Sequence, residues 1–81
     1  MRQSLRSAGY RKLTELLVRK RISNGLTQKQ LADKLGRPQS FVAKYERNER
    51  RIDVLEFIEI AEALELDPGS IVNTLSTNHP A

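Results

Sequence analysis

The sequence predicts a single all-α domain, and three kinds of observation support this. Two capping boxes open helices, one formed by Thr27 with Gln30 and the other by Asp53 with Glu56. Apolar residues between such signals recur every three or four positions, which is the period of an α-helix. Glycine or proline separates the periodic segments. At 81 residues the chain has room for one domain with a small core.

Charge is distributed unevenly along the chain. Residues 1–51 contain all 14 Lys and Arg with 4 acidic residues, a net +10, whereas residues 52–81 contain the other 6 acids and no base, a net −6. Such segregation is expected when one face of a protein meets a polyanion and the opposite face does not. The basic half of the chain is therefore the candidate for contact with nucleic acid.

Composition also excludes several classes of protein. The chain has no cysteine and one histidine, His79, so it offers no thiolate metal site and no pair of nucleophile and base for catalysis. No apolar run approaches the roughly 20 residues of a membrane span. We therefore expect a cytoplasmic protein that is not an enzyme, binds no metal or cofactor, and has no membrane contact.

The first helix is expected from Gly9 to Asn24. Its apolar stripe consists of Leu13, Leu16 and Leu17, and is flanked by Tyr10 and Ile22. The preceding residues 1–8 form a basic arm without helical periodicity, which we expect to be flexible. Such arms can enter a minor groove of DNA, but most loose termini bind nothing specific, and we favour the second interpretation.

Two short helices follow, separated by a tight break. Thr27 caps a helix that begins at Gln28, and Gly36 supplies the left-handed residue that ends it. Pro38 then precedes a third helix from Gln39 to Arg47, whose clear inward residues are Val42 and Tyr45. Because this helix gives little of its surface to the core, its polar side chains can face a partner. These side chains are Gln39, Ser40, Lys44 and Arg47, and DNA is the obvious partner.

The fourth helix is expected to begin after the Asp53 cap and to continue to Leu64. The fifth helix is expected to begin at Pro68, with Asp67 as its cap. A core stripe is predicted on the fourth helix, comprising Val54, Phe57, Ile60, Ala61 and Leu64. Its acids are expected to form a solvated face: Glu56, Glu59, Glu62 and Glu65. Residues 77–81 are expected to be a disordered tail.

Helices four and five carry more apolar residues than one stripe needs. This surplus either seals the small core or forms a two-fold interface between copies of the chain. The candidate residues for such a homodimer surface are Leu55, Ile58, Ile71, Val72 and Leu75.

Five sequence pieces together resemble the phage-repressor type of helix-turn-helix domain, the XRE family. They are GLTQ at 25–28, LA at 31–32, Gly36, QSFVAKYER at 39–47 and IAEAL at 60–64. The resemblance runs from Tyr10 to Leu75, and the domain is placed at residues 9–76. It implies a five-helix, lambda-repressor-like bundle in which the second and third helices read DNA. Two residues depart from the family pattern: Asn48 replaces a common glycine, and Pro38 replaces a Ser or Thr cap.

The resemblance also assigns roles to individual residues. It implies that Gln39, Ser40 and Lys44 reach base edges, and that Gln28 contacts the DNA backbone and buttresses Gln39. It further implies an ion pair between Arg21 and Glu46 that joins the first helix to the third. Four arginines that bracket the third helix are expected to bind phosphates: Arg37, Arg47, Arg50 and Arg51.

Two side chains on the third helix allow more than one interpretation. Phe41 either lies in the DNA groove or leans over the second helix, and we expect partial packing with an exposed edge. Ala43 either touches a thymine methyl group or is a plain helix former on the surface, which we favour. Neither residue decides the function of the helix.

The sequence thus favours a sequence-specific transcriptional regulator, a repressor that binds a palindromic operator in double-stranded DNA as a homodimer. Such a protein would be associated with the nucleoid when bound. The alternative is an antitoxin-type protein-interaction module whose DNA binding regulates its own synthesis, with a second protein as its partner. RNA binding is a weaker option, because at least two of the four aromatic residues are expected in the core, which leaves little for a base-stacking platform.

Overall fold

A computed structural model of the chain describes residues 8–78, which fold into five helices. The helices are α1 (Ala8–Ser23), α2 (Gln28–Leu35), α3 (Gln39–Glu46), α4 (Val54–Ala63) and α5 (Pro68–Asn78). No strand occurs within this range. The expected all-α, five-helix architecture is therefore confirmed.

The ends of the chain differ slightly from expectation. α1 begins at Ala8, one residue earlier than predicted, and α5 continues to Asn78, past the expected start of the tail at residue 77. The rest of the predicted tail, with His79, and nearly all of the predicted basic arm lie outside the described residues. No helix in the described range is long and apolar enough to span a lipid bilayer.

Both predicted capping boxes are present. The Thr27 hydroxyl accepts a hydrogen bond from the Gln30 backbone N–H at 3.0 Å, and the Gln30 side chain accepts one from the Thr27 N–H at 2.8 Å. Asp53 and Glu56 exchange the same two bonds at 2.7 and 3.0 Å. By contrast, Pro38 gives α3 no side-chain cap, and the first turn of α3 is closed by a backbone bond from the Phe41 N–H to the Pro38 carbonyl at 3.0 Å.

Four helices end in the same way, with a backbone N–H that bonds the carbonyl five residues earlier. These bonds measure 2.8 to 3.1 Å and follow α1, α2, α3 and α4. Each closure needs a residue with positive φ, and these are Gly25 (74°), Gly36 (68°), Asn48 (61°) and Glu65 (63°). Asn48 thus adopts the left-handed conformation suited to the glycine that it replaces, whereas the left-handed Glu65 has no signal in the sequence.

The core lies where α1, α2, α3 and α4 meet, and α5 closes it against α1 and α4. Its fully buried large side chains are Leu17, Leu31, Val42, Tyr45, Ile60 and Leu64. Asn24 adds a polar link, because its Nδ2 donates to the carbonyl of Leu64 at 3.0 Å and so joins the ends of α1 and α4. The apolar stripes predicted for the helices therefore converge on one core.

Two predicted apolar positions need correction. Val54 was expected in the core but is 71% exposed, because it is the first residue of α4 and projects beyond the helices that cover the rest of the stripe. Ile71 was expected on the homodimer surface but is only 5% exposed, since α5 turns it into the core of the single chain. Ile58 and Leu75 are half-buried against that core, so the exposed part of the predicted surface is Leu55 and Val72.

Candidate nucleic-acid interface

α3 has one buried face and one exposed face. Phe41, Val42 and Tyr45 point into the core. The opposite face carries the three residues expected to reach base edges, and all three are exposed: Gln39, Ser40 and Lys44. Because they share one side of a short helix, they can contact one continuous surface.

The first residues of α2 and α3 are brought together by their side chains. Gln39 Nε2 donates to Gln28 Oε1 at 3.4 Å, and Gln28 Nε2 donates to Glu46 Oε1 at 2.9 Å. Because the two contacts use opposite ends of the Gln28 amide, they set its orientation. Gln28 thus lies beside Gln39 at the start of α3 and is anchored to the end of the same helix.

Arg21 and Glu46 form an ion pair that joins α1 to α3. Arg21 Nε donates to Glu46 Oε2 at 2.7 Å and Nη2 donates to Oε1 at 3.0 Å, with side chains only 12% and 7% exposed. Arg21 Nη1 also bonds the carbonyl of Leu26 at 2.7 Å. The hydrogen bond that Arg21 donates to Glu46 raises the pKa of Arg21 above its ordinary value, against the opposing effect of burial. Such a sheltered, bidentate pair holds its helices far better than an exposed one.

Two of the four arginines expected to bind phosphates are engaged within the protein. Arg50 Nη1 and Nη2 donate to the two oxygens of Glu56 at 2.9 Å each. Arg37 Nη1 lies 3.7 Å from Glu56 Oε2, and its Nη2 lies 3.2 Å from Glu59. These bonds join the α2–α3 turn and the segment after α3 to the start of α4.

Glu56 was expected on a solvated face, and this expectation is wrong. The residue is 8% exposed, because its carboxylate accepts a hydrogen bond from the Asp53 N–H within the capping box and also forms ion pairs with Arg50 and Arg37. Hydrogen bonds from Arg50 and then from the Asp53 backbone lower the pKa of Glu56 to about 2. Its capping role is readable from the sequence, but the arginines that meet it come from other segments and leave no local signal.

Phe41 lies under the same two arginines. The guanidinium carbons of Arg37 and Arg50 lie 4.6 and 4.8 Å from the centre of its ring. Its ring also packs edge-on against Tyr45, with centroids 5.5 Å apart. Phe41 is therefore buried, with 7% exposure, and lacks the exposed edge expected from the sequence.

The other two arginines remain at the surface. Arg47 makes two bonds of 3.0 Å with Glu49, a pair whose side chains are both more than half exposed. Arg51 places its guanidinium 5.1 Å from the ring centre of Tyr10 in α1. Because both side chains stay accessible beside the end of α3, both can turn toward an external anion.

Comparisons with known proteins agree with this geometry. A family model described as helix-turn-helix matches residues 17–71. An XRE-family like protein from Pseudomonas syringae pv. tomato str. DC3000 is 45% identical, with 90% of this chain and 89% of that one aligned at a TM-score of 0.85. The restriction-modification controller protein C.AhdI from Aeromonas hydrophila is 30% identical over 79% of this chain and 93% of its own, at a TM-score of 0.70. No curated protein matches the chain.

A more distant solved structure shares only the fold with this chain. The clp gene regulator ClgR from Corynebacterium glutamicum is 15% identical, with 89% of this chain and 77% of that one aligned at a TM-score of 0.74. The fold and the family match together define a helix-turn-helix protein, the class of DNA-binding transcriptional regulators. Within that class the chain belongs to the XRE family, as its sequence resemblance predicted.

Proposed function

We propose that the protein is a repressor that binds a palindromic operator as a homodimer, with α3 in the major groove. The observation that carries this proposal is the polar, exposed face of α3 opposite its buried one. In the groove, Gln39 would pair with adenine, Lys44 with guanine, and Ser40 with either base. Each good pair contributes roughly 1–3 kcal/mol of discrimination against the wrong base.

The contact between Gln28 and Gln39 supports a defined geometry for the first base contact. Because one Gln39 N–H points at Gln28, its carbonyl oxygen and its other N–H are left for an adenine edge. Gln28 also stands at the N-terminus of α2, where backbone N–H groups and the helix dipole favour a phosphate. One residue would thus both orient the base-reading side chain and approach the DNA backbone.

The arginines would contribute unequally to phosphate binding. Arg47 and Arg51 are accessible and would bind the backbone directly, Arg47 by exchanging Glu49 for a phosphate. Arg37 and Arg50 would act mainly by fixing α4 against the α2–α3 unit, and only their remaining N–H groups would face DNA. We therefore expect phosphate binding to depend more on Arg47 and Arg51.

The exposed apolar side chains of Leu55 and Val72 support a homodimer. A two-fold axis at this end of the molecule would place two copies of α3 in successive major grooves, about 34 Å apart. Replacing Leu55 or Val72 with Glu should then shift the protein to a monomer in sedimentation velocity and weaken operator binding. Val54→Glu serves as the control, because Val54 is as exposed as Leu55 but lies outside the predicted surface.

The function is tested by selecting bound sequences from a random pool of double-stranded DNA. Wild type should enrich an inverted repeat, and Gln39→Ala and Lys44→Ala should each relax it at defined positions. Lys34→Ala is the matched control, because Lys34 is also exposed but lies on α2. Failure to enrich any motif, with binding that fades with salt alike in all variants, would contradict operator recognition and favour the antitoxin-type interpretation.

A further inference from the structure

An open cavity lies between α1 and α5. Its volume is about 570 Å³, and four apolar side chains form its floor: Leu16, Leu66, Ile71 and Leu75. This size falls within the range of roughly 300–1,000 Å³ typical of small-molecule sites, which are also mostly apolar. The volume suits a compact organic molecule.

The rim of this cavity is basic. Lys12, Arg19 and Lys20 line it with a single acid, Glu15. Within residues 8–78 none of the three cations has a carboxylate within ion-pair distance, in contrast to Arg21, whose charge is matched by Glu46. The opposite wall gives them no counter-charge, since α5 contains no charged residue from Pro68 to Asn78.

We propose that this cavity binds a small organic anion with an apolar tail, such as a medium-chain carboxylate. The tail would cover the four apolar side chains, and the carboxylate would bond the amino groups of Lys12 and Lys20 beside the guanidinium of Arg19. A DNA backbone fits poorly, because phosphates and sugars would leave the apolar floor without a partner. The site goes beyond operator recognition and does not depend on it.

The test is titration of the full chain with sodium octanoate, followed by calorimetry and by the NMR signals of leucine and isoleucine methyl groups. We expect saturable 1:1 binding with a Kd of about 1 mM or tighter. The shifted methyl signals should be those of Leu16, Leu66, Ile71 and Leu75. Octanol and octylammonium should bind at least about tenfold more weakly, because they lose the charge-assisted bonds.

Matched variants identify the site. Lys12→Met and Lys20→Met should each weaken octanoate binding by about tenfold, since each removes one charged donor. Lys34→Met removes an exposed lysine from α2 and should leave the Kd unchanged. Thermal unfolding of each variant checks that it is folded. The proposal is overturned by the absence of saturable binding, by equal binding of octanol, or by an equal loss in Lys34→Met.

Discussion

Tyr45 carries a hydroxyl group that is enclosed by the core and has no hydrogen-bond partner among residues 8–78. Burial raises the pKa of this phenol far above its ordinary value, which shows how poorly the site would accept its charged form. The ring itself is useful, since it packs against Phe41 and the centre of the bundle. Ring and hydroxyl therefore have opposite effects on stability.

We predict that Tyr45→Phe keeps the fold and raises the free energy of unfolding by roughly 1 kcal/mol, because it removes a buried polar group without leaving a cavity. Urea denaturation of both proteins measures this. Tyr10→Phe is the control, since the Tyr10 hydroxyl bonds the carbonyl of Arg50 at 3.3 Å at the surface. A loss of stability in Tyr45→Phe would mean that the hydroxyl has a partner in solution.

Glu65 adopts a left-handed conformation that side chains other than glycine reach at a cost. We predict that Glu65→Gly stabilises the protein by up to about 1 kcal/mol, because glycine reaches this conformation without strain. The gain would be measured as a higher Tm. Glu62→Gly, within α4, should instead lower stability by up to about 1 kcal/mol. If both variants lose stability, the left-handed position is not a source of strain.

At the scale of the elements, helix starts were the most predictable feature. The capping boxes at Thr27 and Asp53 fix the starts of α2 and α4 locally, so residues three apart are enough to place them. The exposed face of α3 was predictable for a similar reason, since inward and outward positions follow from helical period alone. These features depend on short stretches of sequence.

What could not be predicted depends on contacts between distant segments. Glu56 and Phe41 are buried by Arg37 and Arg50, and nothing within their own helices indicates that meeting. The burial of Ile71 likewise depends on the angle at which α5 returns to α1 and α4. Periodicity places a side chain on a face, but only the tertiary arrangement decides what covers that face.

The bonds of Glu56 should make stability depend on pH. The pKa of Glu56 is about 2 in the folded protein, below the value of about 4.3 for an unfolded chain. Its ionised form therefore stabilises the fold above pH about 4.3, and this contribution is lost as the pH falls toward 2. We predict that Glu56→Gln is less stable than wild type at neutral pH, and that the difference shrinks across this interval.

Urea denaturation at several pH values measures that difference. Glu62→Gln is the matched control on the same helix, because its side chain is exposed and makes no ion pair within the described range. Its stability should follow the wild-type profile. A difference between Glu56→Gln and wild type that stays constant from neutral pH to pH 2 would show that the ionised carboxylate is not the stabilising form.

At the scale of the whole molecule, the basic half of the chain includes all of α1, α2 and α3, and the acidic half includes α4 and α5. This polarity would orient the protein as it approaches DNA and would make binding sensitive to salt. Internal ion pairs reduce the number of charges left for DNA, since Arg21, Arg37 and Arg50 all contact glutamates. The remaining accessible cations should therefore dominate the salt dependence.

We predict that Arg51→Ala weakens binding to all DNA sequences and lowers the slope of log K against log salt by about 1, as expected for one lost phosphate contact. Fluorescence anisotropy at several salt concentrations measures the slope. Arg19→Ala, which removes a cation from the side of α1 near α5, is the control and should change the slope much less. Equal effects of both variants would contradict a contact specific to Arg51.

The two-faced construction of α3 also bears on how such a protein can diversify. Folding uses Phe41, Val42 and Tyr45, while Gln39, Ser40 and Lys44 contribute nothing to the core. Substitutions at the exposed positions therefore leave the bundle intact, and a library randomised at all three should remain folded in nearly every member. Under the proposed function, substitutions at these three positions would change the preferred operator without destabilising the fold.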